Sequence, residues 1–246
     1  MRIALMTDIH GNREALAACL AHCEQNGIDR YVFLGDFVGY GADPGWVIDT
    51  VTTLVGRGAV AILGNHDAAV LTDSAGMNEV AADAIAWTRA QLDERHRGFI
   101  ADLPLRVEEA DRLYVHASAD EPDRWHYVTE LYGAAKSLMA TPAHATFCGH
   151  THVPALFHMS LTGKFASFDP VESVEIPLTR QRRWLAVIGS VGQPRDRDPS
   201  ACYAVLDDVR GALTYVRVPY DIESAARKIM QAGLPAMLAA RLFEGF

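Results

Sequence analysis

Five short segments of the chain carry side chains that bind metal ions, and each stands where an apolar run gives out. They are Thr7-Asp8-Ile9-His10-Gly11-Asn12, Gly35-Asp36, Gly64-Asn65-His66-Asp67, Tyr114-Val115-His116 and Gly149-His150-Thr151-His152. Imidazole suits zinc, iron, nickel and manganese, whereas carboxylate and amide oxygens favour harder ions. No cysteine joins the set, which argues against a closed structural zinc site. Residues two apart in extended chain point the same way, so Asp8 and His10 can face one ion with Ile9 turned to the core. His150 and His152 can do the same around Thr151. Glycines at 35, 64 and 149 permit tight turns beside these residues. Two metal ions about 3.5–4 Å apart suit in-line displacement at phosphorus. They need a bridging anion, and Asp36, alone at its strand end, is the best candidate.

The elements that must position these residues follow from the apolar patterning. Residues 2–7, 31–34 and 59–63 read as buried strands, with helices over 13–26 and 44–57 between them. Asp43 and Pro44 suit the start of the second helix. Strand and helix in alternation are the rhythm of parallel α/β structure, in which ligands bind outside the carboxyl ends of the strands. Loops distant in sequence then converge at one edge. Further on, 78–97 and 129–140 read as helices, and 113–116 and 146–148 as strands. The last third is β-rich, with strands over 165–168, 183–188, 201–206 and 212–219, and helices over 222–232 and 235–243. A parallel first half and a hairpin-like second half suggest two stacked sheets flanked by helices in one domain, 1–246.

Composition narrows the function classes. The 246 residues are half hydrophobic, with a formal charge of −9. An acidic balance argues against binding nucleic acid through a basic surface, but a metal site supplies its own positive charge for a small phosphorylated substrate. Residues 1–6 meet Asp8 and His10 at once, unlike an export signal, and no apolar run reaches membrane-spanning length. The expectation is a cytoplasmic protein with no membrane partner and an oligomeric state left open. Cys19, Cys23, Cys148 and Cys202 are expected as free thiols, the first two as small buried residues of one helix.

In order and spacing the five segments resemble the calcineurin-like metallophosphoesterase superfamily, whose pattern is D-x-H, G-D, G-N-H-[DE], H and G-H-x-H. No single block is specific; the ordered set is. The resemblance implies an α/β fold, a four-layer α-β-β-α sandwich with two central mixed sheets. It implies two divalent ions (Mn, Fe, Zn or Ni, with the identity open). Asp8, His10 and His152 would bind the first, Asn65, His116 and His150 the second, and Asp36 would bridge them. A water between the ions would attack phosphorus while His66, facing the substrate, protonates the leaving group. Asn12 and Asp67 match positions behind the ligands. Asn12 and Arg195 are the candidates for substrate binding, Arg195 from a Gly-Ser-rich segment over 189–195. Tyr40 and His126 are candidates to line the pocket. His22, His96, His126, His144 and His158 lie outside the blocks and are expected at the surface or in the core.

The protein Ser/Thr phosphatases and diadenosine tetraphosphate hydrolases of the superfamily continue the second block as G-D-x-V-D-R-G, whose Arg helps hold phosphate. Here it reads Gly35-Asp36-Phe37-Val38-Gly39-Tyr40-Gly41, without that Asp and Arg, and the third block ends in Asp67 rather than Glu. The chain looks closer to the small bacterial and archaeal phosphoesterases. The implied activity is metal-dependent hydrolysis of a phosphodiester or phosphomonoester, with the diester slightly favoured. The alternative is a non-enzymatic, protein-binding scaffold on the same fold.

Overall fold

Strand β1 (Arg2–Met6) sends Ile3 and Leu5 to one face and Ala4 and Met6 to the other, and all four are fully buried. A strand buried on both faces belongs in the middle of a covered sheet. In the computed structural model of the protein, which describes residues 1–72 and 77–246, β1 pairs in parallel with β2 (Arg30–Phe33), and β2 with β3 (Val60–Ala61). On its other side β1 pairs antiparallel with β11 (Ala201–Asp207), followed by β12 (Ala212–Val218) and β9 (Glu175–Pro177).

The second sheet has the order β4 (Arg106–Glu109), β5 (Arg112–Val115), β6 (Ala145–Cys148), β10 (Arg182–Val187), β7 (Ala155–Ser160), β8 (Phe165–Phe168). Parallel pairing holds β5, β6 and β10 together, and antiparallel pairing adds the edges. The sheets are therefore both mixed, and the tail does not form a sheet of its own. Its strands β9, β11 and β12 complete the first sheet, while β10 completes the second.

Ile3, Leu5, Val32 and Leu34 of the first sheet meet Tyr114, Phe147, Trp184 and Ala186 of the second in one cluster between the layers. The outer face of the first sheet, Ala4, Met6 and Phe33, packs on α1 (Arg13–Gln25) and α2 (Pro44–Val55). The outer face of the second, Val115, Cys148 and Leu185, packs on Ala134 and Leu138 of α6 (Leu131–Met139). This is the four-layer α-β-β-α sandwich. A further cluster joins α4 (Glu79–Gln91) to α7 (Ile222–Gln231) and α8 (Ala236–Glu244).

The helix expected over 78–97 is two helices. It stops at Leu92, and Asp93 caps α5 (Glu94–Ala101) by accepting from the His96 backbone. The third block, expected only as a strand-end loop, opens helix α3 (Asn65–Leu71), whose run Ala68 to Leu71 is too short to show a helical period. All four cysteines are free and buried. Among the described residues no helix is long and apolar enough to cross a membrane.

Candidate metal centre

The strand-end loops are tied to one another by backbone hydrogen bonds. Asp8 donates to Gly35, His10 to Asp36, Gly11 to Phe37, Gly149 to His116, Val191 to Thr7 and Gly192 to Asp8. The fit leaves no room for side chains where two of these loops touch. A Cβ at Gly64 would meet the backbone nitrogen and carboxylate of Asp36, and one at Gly149 the Thr7 hydroxyl and Asp8 carboxylate.

Strand alternation does not place the site residues. β1 ends at Met6, and Asp8, His10, Asp36, His150 and His152 all take left-handed φ, between 51° and 68°. Non-glycine residues seldom adopt that region, and it persists where surrounding structure over-determines it. Asp8 and His10 do turn to one point with Ile9 buried in the core. They reach it through a curled loop, not as alternate residues of a strand.

Among the described residues, three sets of side-chain atoms come within 4.8 Å of one another: Asp8, His10 and His152; Asp36, His116 and His150; and His10, Asp36 and His66. Asn65 joins the second, its Oδ1 3.1 Å from His116 Nε2. Backbone carbonyls fix the imidazoles. His10 Nδ1 donates to Val38 (3.0 Å), His116 Nδ1 to Leu34 (2.7 Å) and His152 Nδ1 to Gln193 (2.6 Å). With Nδ1 donating outward, each ring points Nε2 inward, the arrangement typical of a metal-binding histidine.

The inward atoms face each other. His10 Nε2 lies 3.1 Å from His152 Nε2, and Asp8 Oδ1, which makes no hydrogen bond, lies 3.2 Å from His152 Nε2. His150 Nε2 and His66 Nδ1 are also buried without a hydrogen bond. Electron-rich atoms gathered in this way call for a cation, so the donor set fits a metal. Asp36 Oδ1 accepts from the His66 backbone. Its Oδ2 stands between the sets, 3.7 Å from His10 Nε2 and 3.4 Å from His116 Nε2.

Burial and neighbouring charge divide the titrating groups. Burial opposes ionisation of Asp8 and Asp36, yet the histidines around them hold both carboxyls well below the usual range. His116, despite the same burial, is pushed up to about 9 by Asp36 and Asp8. Burial takes His66 down to about 4 and, with His116 beside it, His150 to about 3. Burial and the Asp36 charge raise Asp67 to about 7. Its carboxylate accepts from the backbone of Asp36, Phe37, Val38 and Gly64, stapling the second block to the third.

Of the two residues expected at the substrate, Asn12 has its amide committed to the fold. Its Oδ1 caps α1 at Ala15, and its Nδ2 donates to the Gly192 carbonyl and to Tyr220 Oη. These bonds tie Asn12 to the loop at Gly192 and to Tyr220. Arg195 is half-buried, with Cζ 5.8 Å from the Tyr40 ring, one nitrogen donating to Gln193 and Nε without a partner. Tyr40 in turn packs on His10 and His66, with ring centroids 4.6 and 4.5 Å away.

Most of the segment over 189–195 is structural. Ser190 Oγ donates to the Asp8 carbonyl and accepts from the Gln193 backbone, whose carbonyl orients His152. Outside the blocks, His22 bonds Tyr203, His96 bonds Asp93 and Asp49, His144 bonds the Leu178 carbonyl and His158 packs on Trp184. His126 is exposed. Sequence reasoning missed Trp125 and Tyr127, which pack on His116 and His150. The available signal was three aromatic rings in a row, Trp125-His126-Tyr127, soon after a strand ending in a ligand-type histidine.

Two mixed sheets with imidazoles and carboxylates gathered at their strand ends define a metal-binding α/β sandwich. The chain belongs to the calcineurin-like phosphoesterase superfamily, whose domain profile matches residues 1–210. It is 34% identical to an uncharacterized protein of Methanocaldococcus jannaschii over 249 residues, 99% of this chain and 98% of the relative. The crystal structure of a metallophosphoesterase from Sphaerobacter thermophilus superposes with a TM-score of 0.88 at 34% identity, covering 100% of this chain and 99% of that one. That of a hypothetical protein from Pyrococcus horikoshii OT3 gives 0.79 at 20% identity over 100% and 98%, a likeness of fold. Family membership and the His/Asp clusters together support a metal-dependent phosphoesterase.

Proposed function

We propose that the protein hydrolyses a small phosphate ester with two divalent ions, one at Asp8, His10 and His152 and the other at Asn65, His116 and His150, bridged by Asp36. The observation that carries this is the pair of inward-facing donor sets that share Asp36 Oδ2 as common neighbour. When bound, such ions act as Lewis acids on phosphoryl oxygen and on an attacking water.

The protein's own groups have separable tasks. His66 packs between His10 and Tyr40 with Nδ1 uncommitted, and in our reading it donates the proton that the leaving alkoxide needs. Burial takes its pKa down to about 4, and an anionic substrate beside it raises the value toward the working range. Arg195 holds a phosphoryl oxygen. It lies over Tyr40, the residue standing where the related G-D-x-V-D-R-G pattern has its phosphate-holding Arg, so a distant loop returns the guanidinium to that neighbourhood. Its planar fork suits phosphate.

Turnover of an aryl phosphomonoester and an aryl phosphodiester, with and without added manganese, tests the reading. Manganese-dependent hydrolysis of either is expected, with the diester slightly preferred. A protein that keeps bound metal and turns over neither is a scaffold.

A further inference from the structure

The loop between β5 and α6 opens a cavity of about 190 Å3 beside the metal centre. Tyr127 belongs to both. Its ring stacks on that of His150, with centroids 4.1 Å apart and planes at 22°, and it also lines the cavity. It remains 58% exposed, an amphipathic ring left partly open at the edge of a site. Trp125 packs edge-on against His116 with centroids 5.8 Å apart. Two consecutive turns of this loop, at Glu121 and Trp125, hold non-glycine residues at left-handed φ of 48° and 55°, a cost that clusters at ligand sites.

The rest of the wall sets the chemistry. Tyr132 is 69% exposed and presents a second ring. Asp120 and Glu130 contribute carboxylates, and the cation of Lys136 is already engaged, 3.7 Å from Asp120 and over the Tyr132 ring at 5.5 Å. A second phosphate would meet an acidic surplus here. Ionised carboxylates accept hydrogen bonds from hydroxyl groups, and tyrosine faces pack on the apolar faces of rings. A cavity of about 150 Å3 holds a benzene ring, so this one matches a single substituted ring.

We infer that the cavity receives the non-phosphoryl part of the substrate as an uncharged, hydroxyl-bearing ring of sugar size, stacked on Tyr127 with its hydroxyls on Asp120 and Glu130. The inference rests on the phosphoesterase reading of the adjoining centre and adds the substrate class to it. The ring comes either from a free sugar phosphate or from the ribose of a nucleotide whose base stays in solvent.

The test compares kcat/KM, with manganese, for ribose phosphate, adenosine monophosphate and acyclic propyl phosphate. The ring esters are expected to exceed propyl phosphate, and Tyr127→Ala should cut that ratio about fivefold while Tyr127→Phe preserves it. The better of the two ring esters identifies the source. No ring preference, or equal losses for ring and acyclic esters in Tyr127→Ala, overturns the subsite and leaves the phosphoesterase reading standing. Independently of turnover, saturation-transfer NMR with methyl ribofuranoside on the metal-free protein should show contact that Tyr127→Ala removes. Absence of contact in the unaltered protein overturns the subsite. Contact without turnover of any phosphomonoester or phosphodiester overturns the phosphoesterase reading, and with it the assignment of the ring to a substrate, while the ring-binding cavity stands.

Discussion

On the Asp8 side of the centre the ring packed over His10 is Tyr40, 7% exposed, whereas on the His150 side the covering ring is Tyr127, 58% exposed. The closed side is built from loops that hydrogen-bond to one another, those around Asp8, Asp36 and Ser190. The open side is walled by the loop that joins β5 to α6 and by the start of α6. Both sides gather donor atoms in loops that hydrogen-bond to one another, Gly149 to His116 on the second. The contrast therefore concerns access: both sides hold an ion in the proposed reading, and only the second has a covering ring left open.

Asp36 belongs to both sides, and its loss should have the largest effect. Asp36→Asn is expected to lose bound metal and turnover together, with affinity falling by more than the roughly 10–100-fold that outer partners control. Metal content by mass spectrometry and aryl phosphate hydrolysis check this; full metal with reduced rate would assign the bridge elsewhere.

His66 lies at the seam. His66→Ala should keep its metal and lose about 10²–10⁴ in rate, most for esters with poor leaving groups. Equal losses for good and poor leaving groups would remove it as the acid, and loss of metal would make it a ligand with His10 and Asp36.

Asp67 touches no substrate yet fixes Asp36. Each Asp67 oxygen accepts from two backbone N–H groups, so Asp67→Asn sets a donor against two of them, each costing about 1–3 kcal/mol if stranded. Metal affinity should fall about 10–100-fold and the melting temperature should drop. Unchanged affinity would detach the second block from the third.

Removing metal should have the smallest structural effect. The layers are held by Ile3, Leu5, Phe147 and Trp184 between sheets, so chelated protein should keep its far-UV circular dichroism and lose only the stability that ligand binding adds. Unfolding on chelation would make the metal structural.

Much of this was legible in the sequence, for identifiable reasons. The buried strands and the convergence of polar tips at their carboxyl ends follow from apolar runs that end abruptly. Asp8 with His10, and His150 with His116, came together because metal-binding side chains recur in a fixed order. The means of convergence was hidden: left-handed backbone at Asp8 and His152 depends on carbonyls and glycines of other loops. The split at Leu92 was hidden because Glu94, Arg95 and Arg97 after the Asp93 cap are themselves good helix formers. That the Asn12 side chain bonds Ala15, Gly192 and Tyr220 was hidden too, because the last two lie far along the chain. Tyr127 carried no ligand chemistry of its own and became informative only once His150 lay beneath it.

The most direct test is anomalous diffraction from crystals equilibrated with manganese. Two peaks should appear about 3.5–4 Å apart, one among Asp8, His10 and His152 and the other among Asn65, His116 and His150, with Asp36 between them. A single peak, or ions bound away from Asp36, would contradict the account.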